Sequence, residues 1–324
     1  MELGKKDADL KRQFAYIISF TVVIFLLILL SVVVLRSNRQ RKRDNHLLNI
    51  RNKEIATQKE FVEMKNKDIS DSIHYARRIQ NAILPSDKLI KELLPESFVL
   101  YKPKDVVSGD FYWIGTPNTN FGSDLVVFAV ADCTGHGVPG GFLSMVGYNY
   151  LLLGLTEPEV NSCSDALGFL NKGMMATLQG RMDEVSIKDG MDIVMCAINH
   201  KHMLMEFSGA RRPLCLIREK QLIEFKGDKI SIGETMNETA PIFNLNEQKI
   251  EKGDCLYLFS DGYPDQFGGP RDKKFSYKRF KELLLDVSAK PMDEQKQILD
   301  ETLNEWKGDK EQIDDICVMG VKII

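Results

Sequence analysis

Four aspartates carry the sharpest chemical signal in the 324-residue sequence. Asp110 lies in VVSGDFYW, Asp132 in VFAVADCTGHG, Asp261 in LYLFSDGY and Asp314 in QIDDICVMG. Asp132 and Asp261 end apolar runs that read as strands, and Asp314 opens the last such run. A strand end is a rigid mount from which a carboxylate can point into a cleft. Carboxylates that converge without basic partners repel one another, and divalent cations relieve that repulsion. Hard oxygen ligands of this kind suit Mg2+ or Mn2+. A lone Asp-Gly is more often a turn. Two acidic strand ends and an Asp314-Asp315 pair before a third strand are harder to explain by turns alone. Residue types and spacing stop at a divalent-metal cluster.

The elements that must position these residues are legible downstream of Pro85. Short β-branched or aromatic runs recur: SFVLYKP, DLVVFAVAD, MDIVMCAIN, MLMEFSGA, LCLIRE, QLIEFKG, CLYLFSDG and DICVMGVKI. Turn residues bound each one, as they bound strands. Helical patterns cover 141–154, 163–178, 277–288 and 292–306. Strands follow strands, with helices grouped between blocks, which predicts an α+β fold with antiparallel sheets.

Upstream, residues 14–35 carry no charge, and about 20 such residues cross a bilayer as a helix. A signal peptide would have a shorter run and an A-x-A-like cleavage site. A buried core helix would need partners on every face. The stretch therefore reads as a membrane span. Arg36, Arg39, Arg41, Lys42 and Arg43 follow it more densely than Lys5, Lys6, Lys11 and Arg12 precede it. That bias places the C-terminal side in the cytoplasm, and the expected location is the inner membrane, single-pass.

From residue 44 onward, apolar residues recur every seven positions at Leu48, Ile55, Val62, Ile69, Ala76 and Ile83. The companion positions Asn52, Lys59, Asn66, Ile73 and Gln80 are mostly polar. A parallel dimeric coiled coil and a solvated spacer helix both fit. Pro85 ends the helix. The expected organisation is a tail at 1–13, too short for a sensor domain, a span at 14–35, a linker helix at 36–84 and a catalytic domain at 85–324.

The net charge of −3 offers no basic field for nucleic acid. None of the six cysteines forms a CxxC pair, so a zinc ribbon or redox motif is not expected. Several sit in apolar runs and read as buried thiols of a reduced compartment rather than disulfides.

The ordered series SIHYARRIQNAILP, DVVSGDFYW, ADCTGHGVPGGFLSM, DGMDIVMCAIN, FSGARRPLCLIR, SIG, LFSDGYPDQFGG and DDICVMG resembles the PPM-type (protein phosphatase 2C) family, and within it the SpoIIE/RsbU-like branch. The resemblance covers about Ser72 to the end. It implies two stacked antiparallel β-sheets flanked by helices. It implies hydrolysis of phosphoserine or phosphothreonine by water activated between two Mn2+ or Mg2+ ions. Asp132 would bridge the ions, with the main-chain carbonyl of Cys133 completing one site. Asp261 and Asp314 would hold the second ion, and Asp110 would either ligate an ion or stand just behind the ligands, oriented on metal-bound water. His136 would either protonate the leaving oxygen or anchor its loop. Asp192 is a candidate for a third ion, and Asp315 for a ligand or a partner of Asp314. Cys317 stands where the family has Thr, and Asp265 where it has Glu; neither is a ligand position. The implied substrate is a phosphorylated protein such as an anti-sigma-factor antagonist, while the heptad spacing of the linker helix is what suggests a homodimer. A sensor histidine kinase centred on His74 is a weaker reading, because an Asn-rich helix and glycine-rich lid are missing from the sequence. A scaffold keeping the fold without activity is the other rival.

Overall fold

The computed structural model describes residues 2–117, 125–178, 189–234 and 241–324. The chain divides into two units, Met1–Ser70 and Asp71–Ile324. The first unit is helical and belongs to α1 (Glu2–Ile83). Its apolar stretch from Phe14 to Leu35 is exposed along its length. Of the described helices, this one alone is long and apolar enough to cross a membrane. The heptad residues Leu48, Ile55, Val62 and Ile69 are exposed as well.

In the second unit, the last turns of α1 end at Ile83, two residues before Pro85. Ser86 then caps α2 (Asp87–Leu93), its hydroxyl accepting from the Leu89 N–H at 3.3 Å. Twelve strands and five further helices follow among the described residues. One five-stranded sheet holds β1 (Ser97–Lys102), β12 (Ile316–Lys322), β9 (Cys255–Phe259), β6 (Leu214–Arg218) and β7 (Gln221–Phe225), in that order. The other holds β2 (Phe111–Gly115), β3 (Leu125–Cys133), β4 (Met191–Asn199), β5 (Leu204–Ala210) and β8 (Asn246–Lys249). All neighbouring strands in both sheets pair antiparallel. A small ribbon, β10 (Phe267–Gly268) with β11 (Lys273–Lys274), stands apart.

Period-two alternation explains the stacking. On β3, Val126, Phe128 and Val130 join Leu214, Leu216, Leu256 and Leu258 of the opposite sheet in one apolar layer. The alternate residues Val127, Ala129 and Ala131 pack on α3 (Gly137–Gly154) and α4 (Cys163–Leu178) through Leu143, Leu167 and Leu170. On β9, Tyr257 and Phe259 face α6 (Tyr277–Val287) and α7 (Met292–Lys307) through Phe280, Leu284, Leu299 and Leu303. Both faces of each central strand are therefore covered, which is why those strands read as unbroken apolar runs. Each fully buried Leu or Phe side chain contributes about 1.5–3 kcal/mol. The expected α+β architecture of two stacked sheets flanked by helices is the one observed. Helix α3 starts four residues before its apolar pattern, because Pro139 fits a helix's first turn.

Candidate functional site

Register brings the acidic residues together. Asp132 of β3 lies directly opposite Asp192 of β4. Like charges placed opposite each other weaken a ladder. Asp261 lies two residues after β9, and Asp314 two residues before β12, its hydrogen-bonded neighbour. Asp261 opens the short helix α5 (Gly262–Asp265). A β-carbon on Gly262 would stand 1.9 Å from the Asp315 carbonyl oxygen, so only glycine lets these two chain segments close up. Asp132, Asp192, Asp261 and Asp314 line one open cavity of about 450 Å³, together with Cys133, Thr134 and His136.

The loop before β2 is tied to this cavity by Asp315. One Asp315 oxygen accepts from the Lys104 N–H and the other from the Gly109 N–H, each at 2.7 Å. Gly109 and Gly140 both press on the Gly135 carbonyl oxygen, where a β-carbon would come within 2.5 and 2.3 Å. Asp110 thereby sits behind the cavity rather than on its wall. It is buried, and its Oδ2 has no hydrogen-bond partner among the described residues. His136 Nδ1 lies 2.5 Å from Asp105 Oδ2, on the rim. Ser108 also links this loop to the end of α1. Gln80 is buried and donates to the Ser108 carbonyl at 2.7 Å and to Ser144 Oγ at 2.9 Å, while accepting from the Ser108 N–H at 3.1 Å.

Burial pushes the Asp132 carboxyl up to about 8; Arg212 opposes the rise, and Asp261 and Asp314 add to it. Burial also raises Asp110 well above the carboxylate range, with Asp132 adding to it. Asp314 is raised by burial against the Asp315 N–H. Asp192 is raised by burial against Ser231 and the two arginines; the Ser231 hydroxyl donates to it at 2.6 Å. Burial drives the Cys133 thiol up as well, and Asp132 and Asp110 add to that. All six cysteines are buried and free, so a thiolate nucleophile has no place here.

A cation already sits among these carboxylates. Arg212 Nη2 lies 2.5 Å from Asp132 Oδ2, 2.7 Å from Asp261 Oδ2 and 3.4 Å from Asp192 Oδ2. Its Nη1 donates to the Tyr277 hydroxyl at 3.2 Å. Burial alone would lower Arg212, but the three carboxylates outweigh it and hold the guanidinium charged. Arg211 lines the same cavity and pairs with Glu234 at 3.1 Å. Among the described residues, no three His, Cys, Asp or Glu side chains are closed up tightly enough to hold an ion as they stand. The donor set nevertheless fits hard divalent ions. It consists of oxygens, it is overcharged without a cation, and Asp110 offers an unpaired oxygen behind it.

Of the aspartates singled out in the sequence, Asp132, Asp261 and Asp314 converge, joined by Asp192; Asp110 stands one layer behind. Arg212, Arg211, Ser231 and Glu234 were not foreseen. Arg211-Arg212 does carry a signal, a doubled cation inside the otherwise apolar FSGARRPLCLI. Ser231 opens the SIG motif, to which the sequence alone attaches no role, and Glu234 carries no signal beyond its place next to that motif.

Comparison with known proteins gives the family and the fold. Residues 122–324 match the family model described as Stage II sporulation protein E (SpoIIE). The chain is similar to the SiaA-PP2C domain of Pseudomonas aeruginosa, with 30% identity and a TM-score of 0.71 over 80% of this chain and 98% of that one. It also shares its fold with the PP2C phosphatase domain and regulatory fragment of SpoIIE from Bacillus subtilis, at 19% identity and a TM-score of 0.53, over 70% of this chain and 61% of that one. A third likeness is to the RsbU and RsbW domains of Rv1364c from Mycobacterium tuberculosis, at 14% identity and a TM-score of 0.54, over 71% and 60%. No curated protein sequence matches the chain.

Proposed function

The chain belongs to the SpoIIE family of PP2C-type phosphatases, and from that membership we propose that it is a membrane-anchored, metal-dependent protein serine/threonine phosphatase. The observation that carries this reading is the convergence of Asp132, Asp192, Asp261 and Asp314 on one cavity. Asp132, Asp261, Asp314 and the main-chain carbonyl of Cys133 would hold two divalent ions, Mn2+ or Mg2+. Bound there, such ions supply an activated water and neutralise charge on a phosphoryl group.

The chain's own residues do the rest. Asp315 holds the 104–109 loop, which keeps Asp110 close behind Asp132. Asp110, raised by burial and by its neighbours' charge, is suited to accept or hold a proton at its unpaired Oδ2. His136, bonded to Asp105 at the rim, would either protonate the leaving serine or threonine oxygen or anchor its loop through that bond. Arg211 at the same rim offers a cation to the incoming phosphoryl group.

The proposed organisation keeps residues 1–13 as a tail, 14–35 as the span, 36–84 as the linker helix and 85–324 as the catalytic domain, on the cytoplasmic side. The exposed heptad face of α1 supports pairing with a second copy. RsbU and RsbW domains occur together in one of the similar structures, and a partner-switching phosphoprotein, such as an anti-sigma-factor antagonist, is the substrate class proposed here.

The test is phosphate release from phosphoserine and phosphothreonine proteins by the full chain in detergent. Release should require Mn2+ or Mg2+, stop with chelator and fall by at least about a thousandfold in Asp132→Ala, given what metal activation of water contributes. Metal-independent release, or an unchanged Asp132→Ala variant, would defeat the proposal. One observation favours a second reading, a non-catalytic scaffold: the guanidinium already seated among the carboxylates. That reading predicts no release with any metal.

A further inference from the structure

We propose that Arg212 is a positioning residue that fills the metal site of the ion-free chain and yields it when divalent ions bind. This rests on the metal-dependent reading above. The guanidinium is at contact distance from Asp132 and Asp261, two of the carboxylates assigned to the ions. Its side chain is only 9% exposed. A guanidinium bonded to both carboxylates leaves no room for a divalent ion bridging the same pair without a second positive charge alongside. Either the ion or Arg212 holds the pair.

The backbone shows that this placement is built rather than incidental. Arg211 and Arg212 lie between β5 and β6, and both line the same cavity. They do so because Arg211 has φ +58°, a left-handed conformation that costs a non-glycine residue energy. The Arg212 N–H closes a three-residue turn onto the Ala210 carbonyl at 2.7 Å. Two neighbouring bonds hold the turn in place. The Arg211 N–H donates to the Asp228 carbonyl, and the Asp228 N–H to the Gly209 carbonyl, each at 2.7 Å. Asp228 is itself gripped by Asn244, whose main-chain N–H donates to it at 2.7 Å. A strained turn maintained by that many bonds aims Arg212 at the carboxylates.

Arg212 Nε adds an independent indication. It is buried and has no hydrogen-bond partner among the described residues, and a buried donor left unpaired is costly. Among the described residues the side chain is held by its terminal nitrogens, Nη2 on the carboxylates and Nη1 on the Tyr277 hydroxyl. That seat suits a cation that can let go. It also accounts for the carboxylates being gathered around a cavity without closing into an ion site.

Arg212 should therefore oppose ion binding and keep the ion-free domain folded. The experiment measures Mn2+ affinity of the full chain in detergent by electron paramagnetic resonance, for the wild type, Arg212→Met and Arg212→Lys. Arg212→Met should bind Mn2+ at least about tenfold more tightly and, in chelator, melt at a lower temperature. Arg212→Lys should keep most of the wild-type affinity, because the cation remains. A parallel measurement needs no variant. Phenylglyoxal labelling of wild type, read peptide by peptide, should find Arg212 protected in chelator and modified severalfold faster in saturating Mg2+, with half-exposed Arg211 as the internal standard. Wild type that binds Mg2+ while Arg212 stays protected would overturn the inference and leave the phosphatase reading standing. So would an Arg212→Met affinity equal to or weaker than wild type. If neither wild type nor Arg212→Met binds Mn2+ and neither releases phosphate, both readings fail together.

Discussion

Arg211 and Arg212 adjoin in sequence but meet the cavity on different terms. Arg212 is enclosed by three carboxylates, whereas the Arg211 side chain is 47% exposed and held chiefly by Glu234. Exposed pairs of that kind contribute little to stability, so Arg211→Ala should fold normally. If Arg211 draws in the phosphoryl group, its loss should raise KM for a phosphopeptide about 10- to 100-fold, the size of a lost charge-assisted hydrogen bond. Steady-state kinetics decide, and an unchanged KM would remove Arg211 from substrate binding. Asp110 makes a different prediction. Burial raises its carboxyl in the folded chain, so the stability it contributes is present below the unfolded carboxylate range and is lost as pH rises through its folded value. Asp110→Asn should therefore leave the chelator-treated chain as stable as wild type or more so at neutral pH. Phosphate release should nonetheless fall roughly 10- to 100-fold, as losing a group that supports metal ligands does. Melting in chelator and assay in Mn2+ separate the two effects; a variant that melts earlier and keeps full activity would contradict both.

At the scale of elements, the end of α1 is locked to the loop before β2 through Gln80. Gln80→Leu would leave the buried Ser108 N–H without its side-chain partner and the Ser108 carbonyl with the longer 3.4 Å bond from the Ser144 hydroxyl, at a cost of about 1–3 kcal/mol. Thermal unfolding should show the loss, and an unchanged melting temperature would mean that the Gln80 bonds contribute no net stability. The β5–β8 edge carries a milder fault. Glu206 faces Glu247 directly across the pair. Burial raises Glu206, opposed by the Cys163 N–H, and Glu247 adds to the rise. Its contribution is thus greatest below the unfolded glutamate range and declines as pH rises through the folded value. Glu247→Lys should stabilise the chain by about 0.2–1 kcal/mol above that value, and Glu206→Gln should flatten the pH dependence. Melting curves from pH 4 to 8 that run parallel in wild type and Glu206→Gln would contradict this account.

For the whole molecule, the open questions concern the first unit. If residues 14–35 span a bilayer, the chain should stay with membranes through alkaline carbonate washing, and removing that stretch should release it. The heptad face predicts a parallel pair, in which each Ile55 meets its counterpart. All six native cysteines are buried, so Ile55→Cys adds an exposed thiol to a quiet background. Mild oxidation should then give a disulfide-linked dimer. A monomer under the same oxidation would favour the solvated spacer.

Much of this was legible in the sequence. Unbroken apolar runs marked strands covered on both faces, and the charge-free stretch marked its helix. Acidic residues at run ends marked the site, since a carboxylate next to an apolar strand end has few places to go but a cleft. The motif order then supplied the family. The sequence alone did not show that Asp192 opposes Asp132, because register is set by pairing across a sheet and not by spacing along the chain. Nor did it place Asp110 behind the cavity, where Asp315 and three closely packed glycines pull its loop inward. It gave no sign that Arg212 occupies the carboxylates' centre, because that depends on a left-handed turn at Arg211 which three main-chain hydrogen bonds impose. Sequence determined which residues could do chemistry; tertiary structure decided which of them share a cavity, since that is fixed by contacts between segments far apart in the chain.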